Sequence, residues 1–224
     1  MDYNIEPGIG TELDADSVGA GLLAHERAYL AWLDSVFKKY PDLVIENCSS
    51  GGLRIDYALL SRYSIQSTSD QEDYQNYASI AVNAPAGLTP EQAAVWSYPE
   101  RVALVKEGIS YYKEIRSDIK KALPDWPIGL ADTRATFLCG ALKTENKAYL
   151  AVFRRDKDEE DDRTMVRIPL AHLFEGEKKL SVKLAYPQEA MKENVEYTYE
   201  ADRKVLAVDF KKKVMARIFE VTAE

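Results

Sequence analysis

One stretch decides the fold of this chain: Glu46-Asn47-Cys48-Ser49-Ser50-Gly51-Gly52-Leu53-Arg54-Ile55-Asp56. A short apolar run, residues 43–45, leads into it and then gives way to small polar residues and a pair of glycines. Such a change is typical of the end of a buried parallel strand, where glycines let backbone N–H groups approach a ligand. We therefore expect a ligand-binding rim at residues 47–52.

Strands and helices alternate on both sides of this stretch, which is typical of a parallel α/β sheet or barrel. Helices are predicted over residues 19–39, 57–63 and 101–122, with a further short helix beginning at Thr89. The long helix would bury an apolar face made of Val105, Ile109, Tyr112, Ile115 and Ile119. After residue 126 the pattern changes to short β-branched and aromatic runs, which predict an antiparallel β-sandwich of about 100 residues. We predict two domains, residues 1–124 and 125–224.

Composition excludes several classes of protein. The chain has 224 residues, of which 46% are apolar, so one or two domains can bury a core. Its net charge of −8 argues against nucleic acid or an anionic membrane as a partner. The two cysteines, Cys48 and Cys139, lie in different contexts and do not form a disulfide framework. Together with the absence of a basic, apolar leader, this predicts a cytoplasmic protein.

Two aspartates are the strongest candidates for chemistry. The histidines, His25 and His172, lie in a predicted helix and in the β-rich part, so a histidine-based triad or metal centre is hard to assemble. Asp2 and Asp70 are 68 residues apart, which is about two units of a (β/α)₈ barrel at roughly 31 residues each. Alternate strands point the same way, so both carboxylates can converge on one pocket. On spacing alone, surface aspartates without a catalytic role remain the alternative.

Three ordered motifs resemble those of glycoside hydrolase family 36, the α-galactosidases. Residues 1–4 (Met-Asp-Tyr-Asn) resemble that family's Lys-x-Asp-x-Asn strand end. Residues 46–56 match its Cys-Ser-x-Gly-Gly-x-Arg-x-Asp segment, and residues 66–70 match its Thr-Ser-Asp element. Residues 90–94 and 96–99 fit one branch of the family. The resemblance covers nearly the whole chain but only about the C-terminal third of the family's length.

The resemblance implies a retaining hydrolysis of terminal α-linked galactose. Asp2 would be the nucleophile that forms a covalent galactosyl-enzyme. Asp70 would be the general acid that protonates the leaving oxygen and then the base that activates water. This pathway needs carboxyl groups about 5–5.5 Å apart.

The resemblance also implies a sugar subsite on the rim and an outer support for it. The implied galactose contacts are Asn47, Cys48, Ser49, Gly51 and Gly52. Arg54 and Asp56 are expected to pair and hold the rim in place. No metal or cofactor is expected, the expected partners are α-galactoside oligosaccharides, and homo-oligomers are an expectation for full-length members of the family.

This chain departs from the family pattern at two places. It starts at the implied nucleophile, so the family's preceding lysine, its N-terminal β-domain and its first barrel strands are missing. Near Pro99 a further strand and loop are missing as well. We therefore expect the C-terminal half of a (β/α)₈ (TIM) barrel followed by the β-sandwich, in a fragment of the family. Two alternatives stay open: a catalytically inactive fragment, and a sibling α-N-acetylgalactosaminidase.

Overall fold

The structure is a computed structural model, and it describes residues 1–3, 8–49, 54, 56–67, 70–71, 73–83, 99–130, 132–157, 161–176, 178–189 and 194–224. The rim glycines Gly51 and Gly52, and the helix predicted to begin at Thr89, lie outside these residues. The chain forms two compact units, residues 1–70 and residues 71–224. The predicted boundary near residue 124 is a different division and stays a prediction.

The first unit contains two helices and the ends of parallel strands. After a 3-10 helix (Gly8–Glu12) come α1 (Ala20–Lys39), β1 (Glu46–Asn47), α2 (Tyr57–Leu60) and β2 (Ile65–Gln66). Helix α1 follows Gly19, whose φ is 87°, and ends just before Pro41 as its sequence predicts. Strands β1 and β2 pair in parallel. The core of the unit consists of Tyr29, Leu33, Leu59 and Tyr63.

The second unit is built on two antiparallel sheets. Its elements are α3 (Tyr74–Asn83), α4 (Pro99–Ile119), β3 (Leu123–Asp125), β4 (Phe137–Lys143), β5 (Lys147–Arg154), β6 (Met165–Pro169), β7 (Leu180–Tyr186), β8 (Val195–Glu200), β9 (Val205–Phe210) and β10 (Met215–Ala223). One sheet has the order β3-β4-β5-β10-β7, and the other has the order β6-β9-β8. Side chains of both sheets share one apolar core, which includes Leu150, Val152, Ile168, Val208 and Phe219. The predicted antiparallel β-rich fold is confirmed.

Helices α3 and α4 of this unit pack against the five-stranded sheet. Helix α3 contacts β4, and the indole N–H of Trp126 donates to the carbonyl oxygen of Val82 at 2.9 Å. Helix α4 contacts β7, and the hydroxyl of Tyr186 donates to the carbonyl oxygen of Leu104 at 2.8 Å. At Gly108 a Cβ would stand only 3.1 Å from that hydroxyl, so glycine permits the close approach. The sheet is thus covered by helices on the face away from the core.

The buried face of α4 differs from the predicted one. Ile115 is buried as expected, but Ile109 and Tyr112 are 45% and 49% exposed. The face that meets the sheet instead includes Leu104, Gly108 and Tyr111, of which the last two stand next to Tyr186. The helix carries two apolar stripes, and the sheet covers one of them.

The parallel part of the described structure is limited to the strand ends of the first unit, and no full barrel is present in the described residues. Within those residues, none of the helices is both long enough and apolar enough to cross a membrane.

Candidate functional site

Asp2 is positioned by strand-like pairing between the start of the chain and β1. The α-amino group of Met1 donates to the carbonyl oxygen of Glu46, and the N–H of Cys48 donates to the carbonyl oxygen of Met1 at 3.0 Å. This alternation is the bonding pattern of a parallel pair in which Met1 stands opposite Asn47. On its other side β1 pairs in parallel with β2, and the Ser67 N–H continues the ladder to the Asn47 carbonyl at 2.8 Å. Three parallel segments therefore end at one edge.

Ser49 connects this edge to the carboxylate of Asp2. Its N–H donates to Oδ1 of Asp2 at 2.9 Å, and its hydroxyl donates to the carbonyl oxygen of Tyr3 at 2.8 Å. The residue is fully buried and has a φ of 67°, in the left-handed region. A non-glycine residue held there costs on the order of 1–3 kcal/mol, and such strain clusters at functional sites. The turn directs the Ser49 N–H toward the aspartate.

Arg54 holds the same segment from the other side. Its Nε donates to the Tyr3 carbonyl at 3.0 Å, and its guanidinium lies 4.5 Å from the centre of the Tyr3 ring. It forms an ion pair with Glu26 at 3.3 Å. Arg54 and Asp56 are predicted to pair. The structure shows the Asp56 carboxylate accepting from the N–H of Leu59 at 2.9 Å, so Asp56 caps α2 while Arg54 holds the Tyr3 segment.

Asn47 ties the rim together from within. It is fully buried, and its Nδ2 donates to the Arg54 carbonyl at 2.9 Å and to Oε1 of Gln66 at 2.7 Å. Its Oδ1 has no hydrogen-bond partner among the residues that the structure describes. Because buried polar atoms are normally satisfied, this oxygen calls for a partner beyond those residues. Asn47 therefore has a structural role besides the predicted contact.

The other predicted residues lie as follows. Cys48 is partly exposed at the end of β1 and is a free thiol. Asp2 is exposed, and Asp70 is exposed four residues after the end of β2. The structure therefore brings Asp2, Cys48 and Ser49 together at the rim. The predicted separation of the two carboxyl groups stays a prediction.

A row of aromatic side chains beside Asp2 was missed by the sequence analysis. The Tyr3 ring stacks on Tyr29 at 4.8 Å between centroids, and its hydroxyl shares a hydrogen bond of 2.8 Å with Nε2 of His25. Trp32 stacks on Tyr29 at 6.0 Å and is 48% exposed. The sequence signal that could have revealed this row is the spacing of His25, Tyr29 and Trp32, which places them on one face of a helix.

Tyr63 adds a second hydroxyl to the row. Its hydroxyl lies 2.6 Å from that of Tyr29. Burial, together with this bond, raises the pKa of Tyr63.

Comparison with known proteins gives matches in structure alone. No family model and no curated protein sequence matches the chain. The GH36 α-galactosidase AgaA from Geobacillus stearothermophilus is 13% identical, with a TM-score of 0.62 over 86% of this chain and 30% of that chain. A variant in complex with 1-deoxygalactonojirimycin is 14% identical, with a TM-score of 0.61 over the same shares of the two chains. The galactosidase domain of the α-galactosidase-sucrose kinase AgaSK is 16% identical, with a TM-score of 0.59 over 87% of this chain and 31% of that chain.

Variants of AgaA were also crystallised with raffinose and with stachyose. This chain spans about a third of the length of the structures that it matches. At these identities the likeness concerns the fold, and it agrees with the motifs in residues 1–4, 46–56 and 66–70. The chain therefore has the fold of a part of the family 36 α-galactosidases.

Proposed function

We propose that this chain carries the two catalytic carboxylates of a retaining α-galactosidase, with Asp2 as the nucleophile and Asp70 as the general acid and base. The observation that carries the proposal is the parallel alignment of the Met1–Asp2 segment, β1 and β2, with the Ser49 N–H bonded to Asp2. Parallel strands present their carboxyl ends at one edge, where the catalytic residues of (β/α)₈ enzymes lie. The first unit would then be part of such a barrel.

Each step follows from the chemistry of these two groups. The ionised Asp2 attacks the anomeric carbon and forms a covalent galactosyl ester while Asp70 gives its proton to the departing glycosidic oxygen. Asp70, now ionised, takes a proton from water, and the resulting hydroxide attacks the anomeric carbon and releases Asp2. The Ser49 N–H holds one oxygen of the Asp2 carboxylate in place for the attack.

The rim would bind the sugar that is transferred. We assign hydroxyl contacts to Oδ1 of Asn47 and to the partly exposed Cys48, with Gly51 and Gly52 allowing a close approach. One solved structure that resembles this chain contains raffinose and another contains stachyose, and α-galactoside oligosaccharides are therefore the proposed substrates. The two free thiols fit the predicted cytoplasmic location.

The test is hydrolysis of p-nitrophenyl α-galactoside and raffinose by the full 224-residue chain and its variants. Asp2→Asn should lower kcat on both substrates by several orders of magnitude, since the covalent step is lost. Asp70→Asn should reduce raffinose hydrolysis far more, because the nitrophenolate leaves without needing a proton. Asp42→Asn is the matched control, since Asp42 is an exposed aspartate of the same unit.

The products separate the alternatives. Galactose whose first-formed anomer is α supports retention. Faster hydrolysis of p-nitrophenyl α-N-acetylgalactosaminide than of p-nitrophenyl α-galactoside supports the sibling activity. A folded chain that releases neither sugar is the inactive fragment. Near wild-type rates of raffinose hydrolysis in Asp2→Asn or Asp70→Asn would overturn the assignment of roles.

A further inference from the structure

A polar cleft lies in the second unit, between α4 and the face of the five-stranded sheet that points away from the core. Its volume is about 270 Å³. This is slightly below the range of about 300–1,000 Å³ that is typical of pockets for drug-sized ligands. A single sugar ring fits this size. The polar residues that line the cleft include Tyr111, Glu114, Asp118, Lys147, Tyr149, Lys183 and Glu220.

The floor of the cleft is one row of side chains across three strands. Glu220 on β10 stands opposite Tyr149 on β5 and opposite Lys183 on β7. Nζ of Lys183 lies 3.3 Å from Oε1 of Glu220. Helix α4 forms the wall, and the Tyr149 hydroxyl donates to Oδ2 of its residue Asp118 at 2.6 Å. Floor and wall are thus bonded to each other, so the site is formed before any ligand arrives.

The hydroxyl of Tyr111 is the group in the cleft that a ligand would satisfy. It is buried and has no hydrogen-bond partner among the residues that the structure describes. Leaving a buried polar atom unpaired is unfavourable, and each instance calls for an explanation. Burial, with the nearby negative charges of Glu220 and Glu114, raises the pKa of Tyr111, so the group stays protonated and can both donate and accept. A ligand hydroxyl group would complete both bonds.

The charges of the cleft favour a neutral ligand. The lysines Lys183 and Lys147 stand beside carboxylates, at 3.3 Å from Glu220 and 4.0 Å from Asp118. A cation would meet these lysines and an anion would meet the carboxylates, and like charges brought together in a site are costly. A neutral, hydroxyl-rich molecule meets alternating donors and acceptors. We propose that this cleft is a second binding site, for one neutral saccharide ring.

The test is titration of the full chain with D-galactose, D-glucose and glycerol, with backbone amide NMR shifts as the measurement of binding. We expect saturating shifts of amides near Tyr111 and Glu220 with a dissociation constant in the millimolar range for at least one of the sugars, and weaker binding of glycerol. Tyr111→Phe keeps the ring stack with Tyr186, whose centroid lies 6.3 Å away, and removes only the hydroxyl. It should weaken sugar binding about fivefold, the effect of one hydrogen bond.

Tyr112→Phe is the matched control, because this neighbouring tyrosine is 49% exposed and does not line the cleft. It should bind sugar as the wild-type chain does. Asp2→Asn should also leave the shifts near Tyr111 and Glu220 unchanged, which separates this site from the proposed catalytic one. The proposal is overturned if neither sugar produces saturating shifts there, if Tyr111→Phe binds as tightly as wild type, or if glycerol binds as tightly as the sugars.

Discussion

The backbone N–H of Ser49 donates a 2.9 Å hydrogen bond to Oδ1 of Asp2, across 47 residues of sequence. The bond joins the turn after β1 to the first residues of the chain. It fixes the position of one oxygen of the proposed nucleophile. The backbone conformation of one buried serine thus controls where the proposed nucleophile points.

The left-handed conformation of Ser49 can be tested with two small substitutions. Ser49→Gly and Ser49→Ala both lose the hydrogen bond to the Tyr3 carbonyl. They differ in the cost of a φ of 67°, which glycine adopts freely. We expect Ser49→Ala to be less stable than Ser49→Gly by about 1 kcal/mol. Urea unfolding, followed through the amide NMR signals of the first unit, measures this difference. Equal stability of the two variants would contradict the proposed backbone strain.

The role of Arg54 can be compared with that of an exposed arginine in the same unit. Arg54→Lys loses the Nε bond to the Tyr3 carbonyl and the planar contact with the Tyr3 ring, so it should destabilise the unit by about 1–2 kcal/mol. Arg62 makes two hydrogen bonds to Asp34 at the surface, and Arg62→Lys breaks this bidentate ion pair. The free energy of unfolding should fall by about 0.5 kcal/mol or less. Urea unfolding of both variants measures the difference. A larger loss in Arg62→Lys would show that Arg54 does not hold the rim.

Arg155 is expected to be the most sensitive cation of the second unit. It is 2% exposed, and it donates to the carbonyl oxygens of Ala135 and Asp132, both at 2.8 Å, and to the hydroxyl of Ser79 on α3 at 2.6 Å. Burial lowers the pKa of Arg155, while the negative charge of Asp132 opposes that shift.

Arg155→Met should lower the free energy of unfolding by about 3 kcal/mol, because several buried acceptors lose a charged donor at once. Arg163→Met is the control, since the Arg163 side chain is 71% exposed, and it should change stability by about 0.5 kcal/mol or less. Thermal unfolding of the second unit measures both. Similar melting temperatures for the two variants would contradict the structural role of Arg155.

The hydrogen bonds to the Asp125 carboxylate should make the stability of the second unit fall in acid. Burial alone would raise the pKa of this carboxyl group, but hydrogen bonds from Lys143 and His172, at 2.9 and 3.0 Å, hold it below its usual value. A depressed pKa in the folded state stabilises the protein above the unfolded pKa of about 3.9, and that stability is lost as the pH falls below it.

Asp125→Asn should therefore be less stable than the wild-type chain at pH 7. The difference should shrink as the pH is lowered from about 4 through the depressed folded-state pKa. Melting temperatures recorded over this range provide the measurement. A difference that is the same at pH 7 and at pH 3 would rule out this ion cluster as the cause.

Local signals predicted those features that depend on neighbouring residues in sequence. The bounds of α1 followed from its period and from Pro41. A buried strand was predicted over residues 43–46, but β1 lies at Glu46–Asn47, and Leu43 and Val44 before it are exposed. The alternation along β5 and β10 predicted antiparallel strands with one buried face.

Features that depend on distant elements were not predictable from the chain alone. Helix α4 has two apolar stripes of similar character, and only the position of Tyr186 decides that Tyr111 rather than Tyr112 meets the sheet. Likewise, Glu26 becomes the partner of Arg54 because α1 passes the rim, which nothing near residue 54 indicates. The motif in residues 46–56 was enough to identify the candidate residues, but their hydrogen-bond and ion-pair partners follow only from the tertiary structure.

The chain contains two cysteines, and their surroundings make them chemically unequal. Cys139 is fully buried, and burial together with the negative charge of Asp125 raises the pKa of its thiol, so it stays unreactive. Cys48 is partly exposed beside Ser49. A maleimide reagent would therefore react selectively at Cys48, and slower labelling in the presence of a sugar would report that the rim is occupied.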